Sequence, residues 1–300
     1  MFIVQPQPTV HGRRTIRGWL MPDREARATR VERRVETLDW KADGSRVLSA
    51  RFHTMLIALL ALMMATGCTS ASEERKKAVE TGLQHLQLAS GYFADKQIPQ
   101  SIRELTLALE ADPKNPDAHH LLGFIYMGRR NYPEAIRHLK QAVELRDDFY
   151  IAINNLGSAY IASGRWEEAR PLYEELISKP TYNTPELAYN NLGWVQYNTG
   201  DYRSARDSLE MAIFLKPSLC LAHNNLGLVH VKEGNMVGAR RSFQRAIKRC
   251  PTFVEPHFHI AQVMRTRGDP MARAYFQRCF ELAADSNWGD RCRSYLEVLP

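Results

Sequence analysis

The sequence predicts an all-α solenoid built from stacked helix-turn-helix repeats. Three observations carry that prediction. A Leu-Gly pair opens the same pattern four times, at Leu122-Gly123, Leu156-Gly157, Leu192-Gly193 and Leu226-Gly227, with 34, 36 and 34 residues between successive glycines. Twelve places after each glycine stands a small residue, Ala135, Ala169, Ala205 or Ala239, and sixteen places after it a bulky one, Leu139, Tyr173, Leu209 or Phe243. Pro217 and Pro251 fall twenty-four places after their glycines, where a residue unable to continue a helix closes the second one. Repeats of this period bury their apolar faces against their neighbours and leave a long surface free, so the expectation is binding rather than chemistry.

Each column has a packing reason. Glycine and alanine let two helix backbones approach, and the bulky residue of the second helix fills the space beside them. A tyrosine recurs three places after the glycine at Tyr126 and Tyr160, and Gln196 and His230 break that column later. Upstream, Leu88-Ala89, Tyr92, Ser101, Leu105, Ala108 and Pro113 form a weaker copy. Downstream, Ile260-Ala261, Met264, Ala272, Phe276 and Cys279 form another, with one residue deleted in the Gly268-Asp269-Pro270 turn. Atypical outer copies suit the ends of a stack. This pattern resembles the tetratricopeptide repeat. The resemblance implies a right-handed superhelical solenoid of about six repeats over residues 82–285, with a C-terminal capping helix over 286–300.

The segment ahead of the repeats is of another kind. Met55 to Ala65 is an uncharged apolar run, too short for the ~20 residues a membrane-spanning helix needs but suited to a signal-peptide core over 55–67. Ala65-Thr66-Gly67-Cys68 then resembles a bacterial lipobox, in which Cys68 is acylated and becomes the mature N-terminus, followed by a linker over 68–81. Alanine at its first place departs from the usual leucine or valine. Residues 1–54 hold eleven Lys or Arg against six Asp or Glu, which is +5 of the chain's +7. The basic pI of about 9.2 therefore resides in a prefix and is no argument for nucleic-acid binding. A prefix this long ahead of a signal core is expected to be a non-native or disordered extension, with translation starting near Val47 or at Met55.

With Cys68 acylated, four cysteines remain. Cys220 falls at the start of the first helix of the fifth repeat and Cys250 at the end of its second helix. Antiparallel helices bring those ends together, so a Cys220–Cys250 disulfide is expected, worth roughly 3 kcal/mol. Cys279 pairs with Cys292 in the same reading and pins the terminal helix; buried free thiols are the alternative for both pairs.

The first helix of each repeat is expected to line the concave groove. Two and three places before the glycines stand Asn154-Asn155, Asn190-Asn191 and Asn224-Asn225, with Ser158, Trp194 and Leu228 one place after and Tyr197 four after. Amides that both donate and accept can bond the main chain of an extended segment without demanding a sequence, and the apolar neighbours suit an amphipathic helix or strand. The alternative is that the asparagines bond adjacent helices and hold the superhelix. Histidines four places before the glycine position, His85, His119, His223 and His257, lie on different repeats about 10 Å apart, too far to share an ion held by bonds of about 2 Å, and are expected to pack. No metal, cofactor or catalytic motif is expected. The loop Ser178 to Pro185 carries the two-residue insertion and is read as tolerated rather than as a specific contact.

Cys68, the linker Thr69 to Glu74 and the Asn-Asn-Leu-Gly motifs at 154–157, 190–193 and 224–227 together resemble the type IV pilus biogenesis and stability lipoproteins of the PilW/PilF family and the related Tgl. That resemblance implies a pilotin, a periplasm-facing outer-membrane lipoprotein that binds subunits of a PilQ-like secretin and promotes their assembly. By the same resemblance Thr69, in place of an inner-membrane aspartate, implies outer-membrane sorting. The alternative is a lipid-anchored scaffold for cell-wall enzymes.

Overall fold

A computed structural model describes Met55 and residues 72–299, and the chain divides into two compact units, Met1–Lys77 and Ala78–Pro300. Cys68 and residues 1–54 lie outside the described residues, as do Val47 and most of the predicted signal core. The solenoid occupies the second unit. Thirteen helices and no strand are found among the described residues. The first, α1, is helical from 72 to 94. It pairs with α2 (Ile98–Ala111), and the same pairing repeats in α3 (Pro116–Gly128) with α4 (Tyr132–Leu145) and α5 (Tyr150–Ala162) with α6 (Trp166–Ser178). Then come α7 (Pro185–Asn198) with α8 (Tyr202–Leu215), α9 (Cys220–Lys232) with α10 (Met236–Arg249), and α11 (Val254–Arg265) with α12 (Met271–Ala283). A last helix, α13 (Asn287–Leu296), covers the end of the stack. No described helix is long and apolar enough to cross a membrane.

The glycine column is explained by the closeness of the helix pairs. A Cβ added at Gly123 would stand 2.6 Å from Leu139, at Gly157 2.7 Å from Tyr173 and at Gly193 2.7 Å from Leu209. Leu139, Tyr173, Leu209 and Phe243 are fully buried, as are Ala135, Ala169, Ala205 and Ala239. Large and small residues thus interlock at every pair, the condition for interior packing density.

A second column, absent from the repeat reading, sits in the turn between the two helices of each pair. Lys96, Arg130, Gly164, Gly200, Gly234 and Gly268 all have φ between 60° and 85°. That left-handed conformation costs a residue with a Cβ roughly 1 kcal/mol and glycine nothing, so the turn reverses the chain most cheaply in the last four repeats. Several helices start on a side-chain cap: Asn115, Asp201 and Asn235 accept from the backbone N–H groups of Ala118, Ser204 and Gly238.

At the C-terminus the packing becomes aromatic. Tyr295 stacks on Phe276 at 4.8 Å, Phe258 meets Trp288 at 5.3 Å, and the Arg291 guanidinium lies over both Phe258 and Trp288. Cys279 and Cys292 join α12 to α13 through a disulfide. A second disulfide joins Cys220 at the start of α9 to Cys250 at the end of α10. Each pair has its Cα atoms 6.1 Å apart.

Candidate protein-binding groove

The first helices of successive repeats touch one another, α3 with α5, α5 with α7, α7 with α9 and α9 with α11, whereas α4, α6, α8, α10 and α12 do not meet across repeats. The layer whose members crowd together is the inner wall of a curved stack, and the splayed layer is the outer one.

At the inner seams the asparagines bond to each other. The Asn155 amide donates to His120 Nε2 at 3.0 Å, Asn191 donates to Asn154 Oδ1 at 3.5 Å and to the Tyr173 hydroxyl at 3.3 Å, and Asn225 donates to Asn190 Oδ1 at 3.1 Å. In every case the residue two before the glycine donates to the residue three before the preceding glycine. Asn190 also donates to Asn191 at 3.1 Å.

This arrangement corrects the expected groove. Asn155, Asn190, Asn224 and Asn225 are 5%, 2%, 4% and 5% exposed, so they cannot reach a bound segment. Ser158 is equally buried, its hydroxyl 3.1 Å from that of Tyr173. The reason is polar accounting: an amide at a helix–helix seam is costly unless bonded, and the neighbouring repeat supplies the partner. Asn154 and Asn191 are half-buried and already committed to the ladder.

What remains accessible is mostly apolar. Trp194 stacks on Tyr197 with ring centroids 5.2 Å apart and planes 10° from parallel, and Tyr197 leans on Tyr202 at 5.7 Å. Both Trp194 and Tyr197 are half-buried, as is Leu228. Ile151, Leu187 and Leu221, each six places before its glycine, occupy the same helix face about two turns earlier, and Ile151 is 39% exposed. The sequence reading missed this column, although its constant distance from the glycine marked it. The result is a strip of aromatic and aliphatic side chains over an amide-bonded floor, chemistry fitted to holding an apolar segment.

The histidine column serves the repeats themselves. His119, His223 and His257 bond through Nε2 to the carbonyls of Pro113, Pro217 and Pro251 at 3.2, 3.0 and 3.0 Å, while His85 meets Glu104 at 2.7 Å. His119 Nδ1 further pairs with His138 Nδ1 at 3.0 Å, and His138 Nε2 accepts from Arg137. Burial holds His120, His138 and His259 neutral, pushing each down to about 4, with the neighbouring arginines adding to the effect. His259 occupies the next rung position, and Asn224 Oδ1, which would face that rung, has no partner among the described residues.

In the loop between α6 and α7, Tyr182 is buried against Tyr150, whose hydroxyl lies 3.0 Å from that of Thr181. The inserted residues are therefore packed onto α5.

One model of the tetratricopeptide repeat matches residues 115–179, and a second matches 154–219 and 190–252. Tetratricopeptide repeat protein 37 of Xenopus laevis is 27% identical over 150 residues, which is 50% of this chain and 9% of that protein. Human superkiller complex protein 3 is 27% identical over 140 residues, 47% of this chain and 8% of that one. The chain spans less than a tenth of the length of these relatives. Among solved structures, PilW, a widely conserved type IV pilus biogenesis factor, superposes with a TM-score of 0.63 at 21% identity, over 70% of this chain and 97% of that one. PilF of Pseudomonas aeruginosa superposes with a TM-score of 0.60 at 20% identity, over 74% and 99%. The APC/C hetero-tetramer Cut9–Hcn1 reaches 0.61 at 16% identity, over 72% and 43%. At these identities the superpositions establish the fold. The matched families are interaction repeats, and none is catalytic.

Proposed function

We propose that this tetratricopeptide-repeat protein is an outer-membrane lipoprotein, held by an acylated Cys68, that acts as pilotin for a type IV pilus secretin. The observation that carries this reading is one of extent. The repeat array aligns over 97% and 99% of PilW and PilF with 70% and 74% of this chain included, whereas it aligns over 43% of the larger Cut9–Hcn1 chain, and a MamA structure covered to 97% includes only 58% of this chain at a TM-score of 0.53. A lipobox ahead of an array of that size adds independent support, since Ala65-Thr66-Gly67-Cys68 precedes the first helix by only a few residues.

In this reading the acyl chains fix one end of the solenoid in the inner leaflet of the outer membrane. Two or more chains anchor stably where one does not, and confinement raises the effective concentration of the groove toward a membrane-bound partner. The Trp194–Tyr197 strip then takes up an apolar segment that a secretin monomer exposes, and releases it when oligomerisation buries that segment.

Substituting Trp194→Ala together with Tyr197→Ala is expected to abolish heat-stable secretin multimers and surface pili while leaving the helical circular-dichroism signal intact. Unchanged multimers would remove the groove from the account. Cys68→Ser is expected to abolish acylation, read as loss of incorporated lipid label, and with it fractionation with the outer membrane. Co-purification with cell-wall hydrolases, with secretin multimers intact, would support the scaffold reading instead.

A further inference from the structure

The outer layer carries its own surface. The solvent-facing residues one, two, five and six places after the bulky core residue of each second helix stand at the same height on successive ridges. On α6 these are Glu174, Glu175, Ser178 and Lys179; on α8, Glu210, Met211, Phe214 and Leu215; on α10, Gln244, Arg245, Lys248 and Arg249. Phe214 is 78% exposed, Leu215 43% and Met211 40%. Arg245, Lys248 and Arg249 are exposed, and neither they nor Glu174 enters an ion pair with any described residue, while Glu175 is met only by Lys179 at 3.6 Å. With Lys179 paired to Glu175 and Glu210 the one charge among the α8 positions, the three neighbouring ridges are mainly acidic, apolar and basic in turn.

From this order we infer that the α6–α8–α10 face is a self-association surface whose occupant is a second copy of the same chain. The inference is independent of the inner groove and of the pilotin reading.

The order of charges selects the occupant. An anionic surface would be drawn to α10 but repelled by Glu174 and Glu175, and a simple apolar segment would leave both flanks unmatched. The occupant that matches has acid, apolar and base in the reverse order. The same face turned by 180° about an axis through Phe214 has that order: the two α8 ridges meet in the centre, and α6 of each copy faces α10 of the other. Such an isologous contact sets Glu174 and Glu175 of each copy opposite Arg245, Lys248 and Arg249 of the other, so the pairing occurs twice. Because both surfaces are convex, contact is restricted to about three ridges, which places the interface in the small size class.

The test uses the full chain carrying Cys68→Ser, which removes acylation as a cause of association, in sedimentation velocity over a concentration series. A reversible monomer–dimer equilibrium is expected. Phe214→Asp should leave only monomer. Glu174→Lys/Glu175→Lys places like charges opposite each other and should weaken the dimer about tenfold or more, as should Arg245→Glu/Lys248→Glu/Arg249→Glu. Mixing those two charge-reversed variants restores opposite signs at both flanks, so the mixture should form heterodimer at concentrations where each alone is monomeric. The residues substituted on α6, α8 and α10 are all exposed, and unchanged circular dichroism verifies that the variants fold. A monomer at every concentration overturns the inference, as does a dimer that survives Phe214→Asp, or a mixture that shows no rescue.

Discussion

The central repeats and the C-terminal repeats are held together in different ways. Between α3 and α9 the inner seams carry an amide ladder, with His120, Asn154 and Asn190 each accepting from the asparagine of the following repeat. Beyond α9 the ladder stops: the donor position holds His259, and Asn224 Oδ1 is buried without a partner among the described residues. The covalent links begin at that point, Cys220–Cys250 within the fifth pair and Cys279–Cys292 at the cap. In a stack where each repeat is stabilised only by its neighbours, the last members have a neighbour on one side alone and fray first. Cross-links and an aromatic cap offset that deficit where hydrogen bonding across the seam ends.

Acid should have the largest effect, because it reaches both regions. The folded state holds His120, His138 and His259 near 4 against about 6.5 when unfolded. Since the unfolded chain binds those protons first, their contribution to stability is complete above about pH 6.5 and is lost as pH falls toward 4. Urea midpoints measured from pH 7.5 to 4 are expected to drop steeply in that window. A flat profile would mean that the histidine ends of the ladder carry no stability.

Removing the Cys220–Cys250 bond by Cys220→Ser/Cys250→Ser should cost about 3–4 kcal/mol, given a loop of some 30 residues. Hydrogen exchange should show the loss in α9–α12 and leave α3–α8 protected; uniform loss across the stack would erase the distinction between the regions.

The ladder offers the converse experiment. Asn190→Ala strands the Asn225 amide in a buried seam and should cost about 2 kcal/mol. Asn224→Ala removes an oxygen that has no partner and should cost less than about 1 kcal/mol. Equal costs would show that the ladder does not end at α9. The smallest effect is expected at Arg130→Gly, where φ is 60°: relieving the left-handed turn should raise stability by about 0.5–1 kcal/mol, read as a shift of the denaturant midpoint.

The stack itself was legible in the residues because identical packing recurs at one period, so Gly157 against Tyr173 and Gly193 against Leu209 announce each other. Less legible was the second turn column. Lys96 and Arg130 occupy it in the first two repeats, and they do not look like turn residues although their backbone is left-handed like that of Gly164.

The groove shows where sequence periodicity runs out. Asn154 and Asn155 are consecutive on a helix and differ by about 100° in direction, so their phase alone leaves undetermined which faces the seam and which faces the groove. By itself the sequence determined the repeat, its register and the pairing of helices, since these follow from local spacing and complementary volume. Only the tertiary structure decided that Asn190 and Asn225 bond to each other across repeats and that Trp194 and Tyr197 are left accessible. That choice depends on how closely one repeat packs on the next, and a buried amide goes wherever a partner completes its hydrogen bonds.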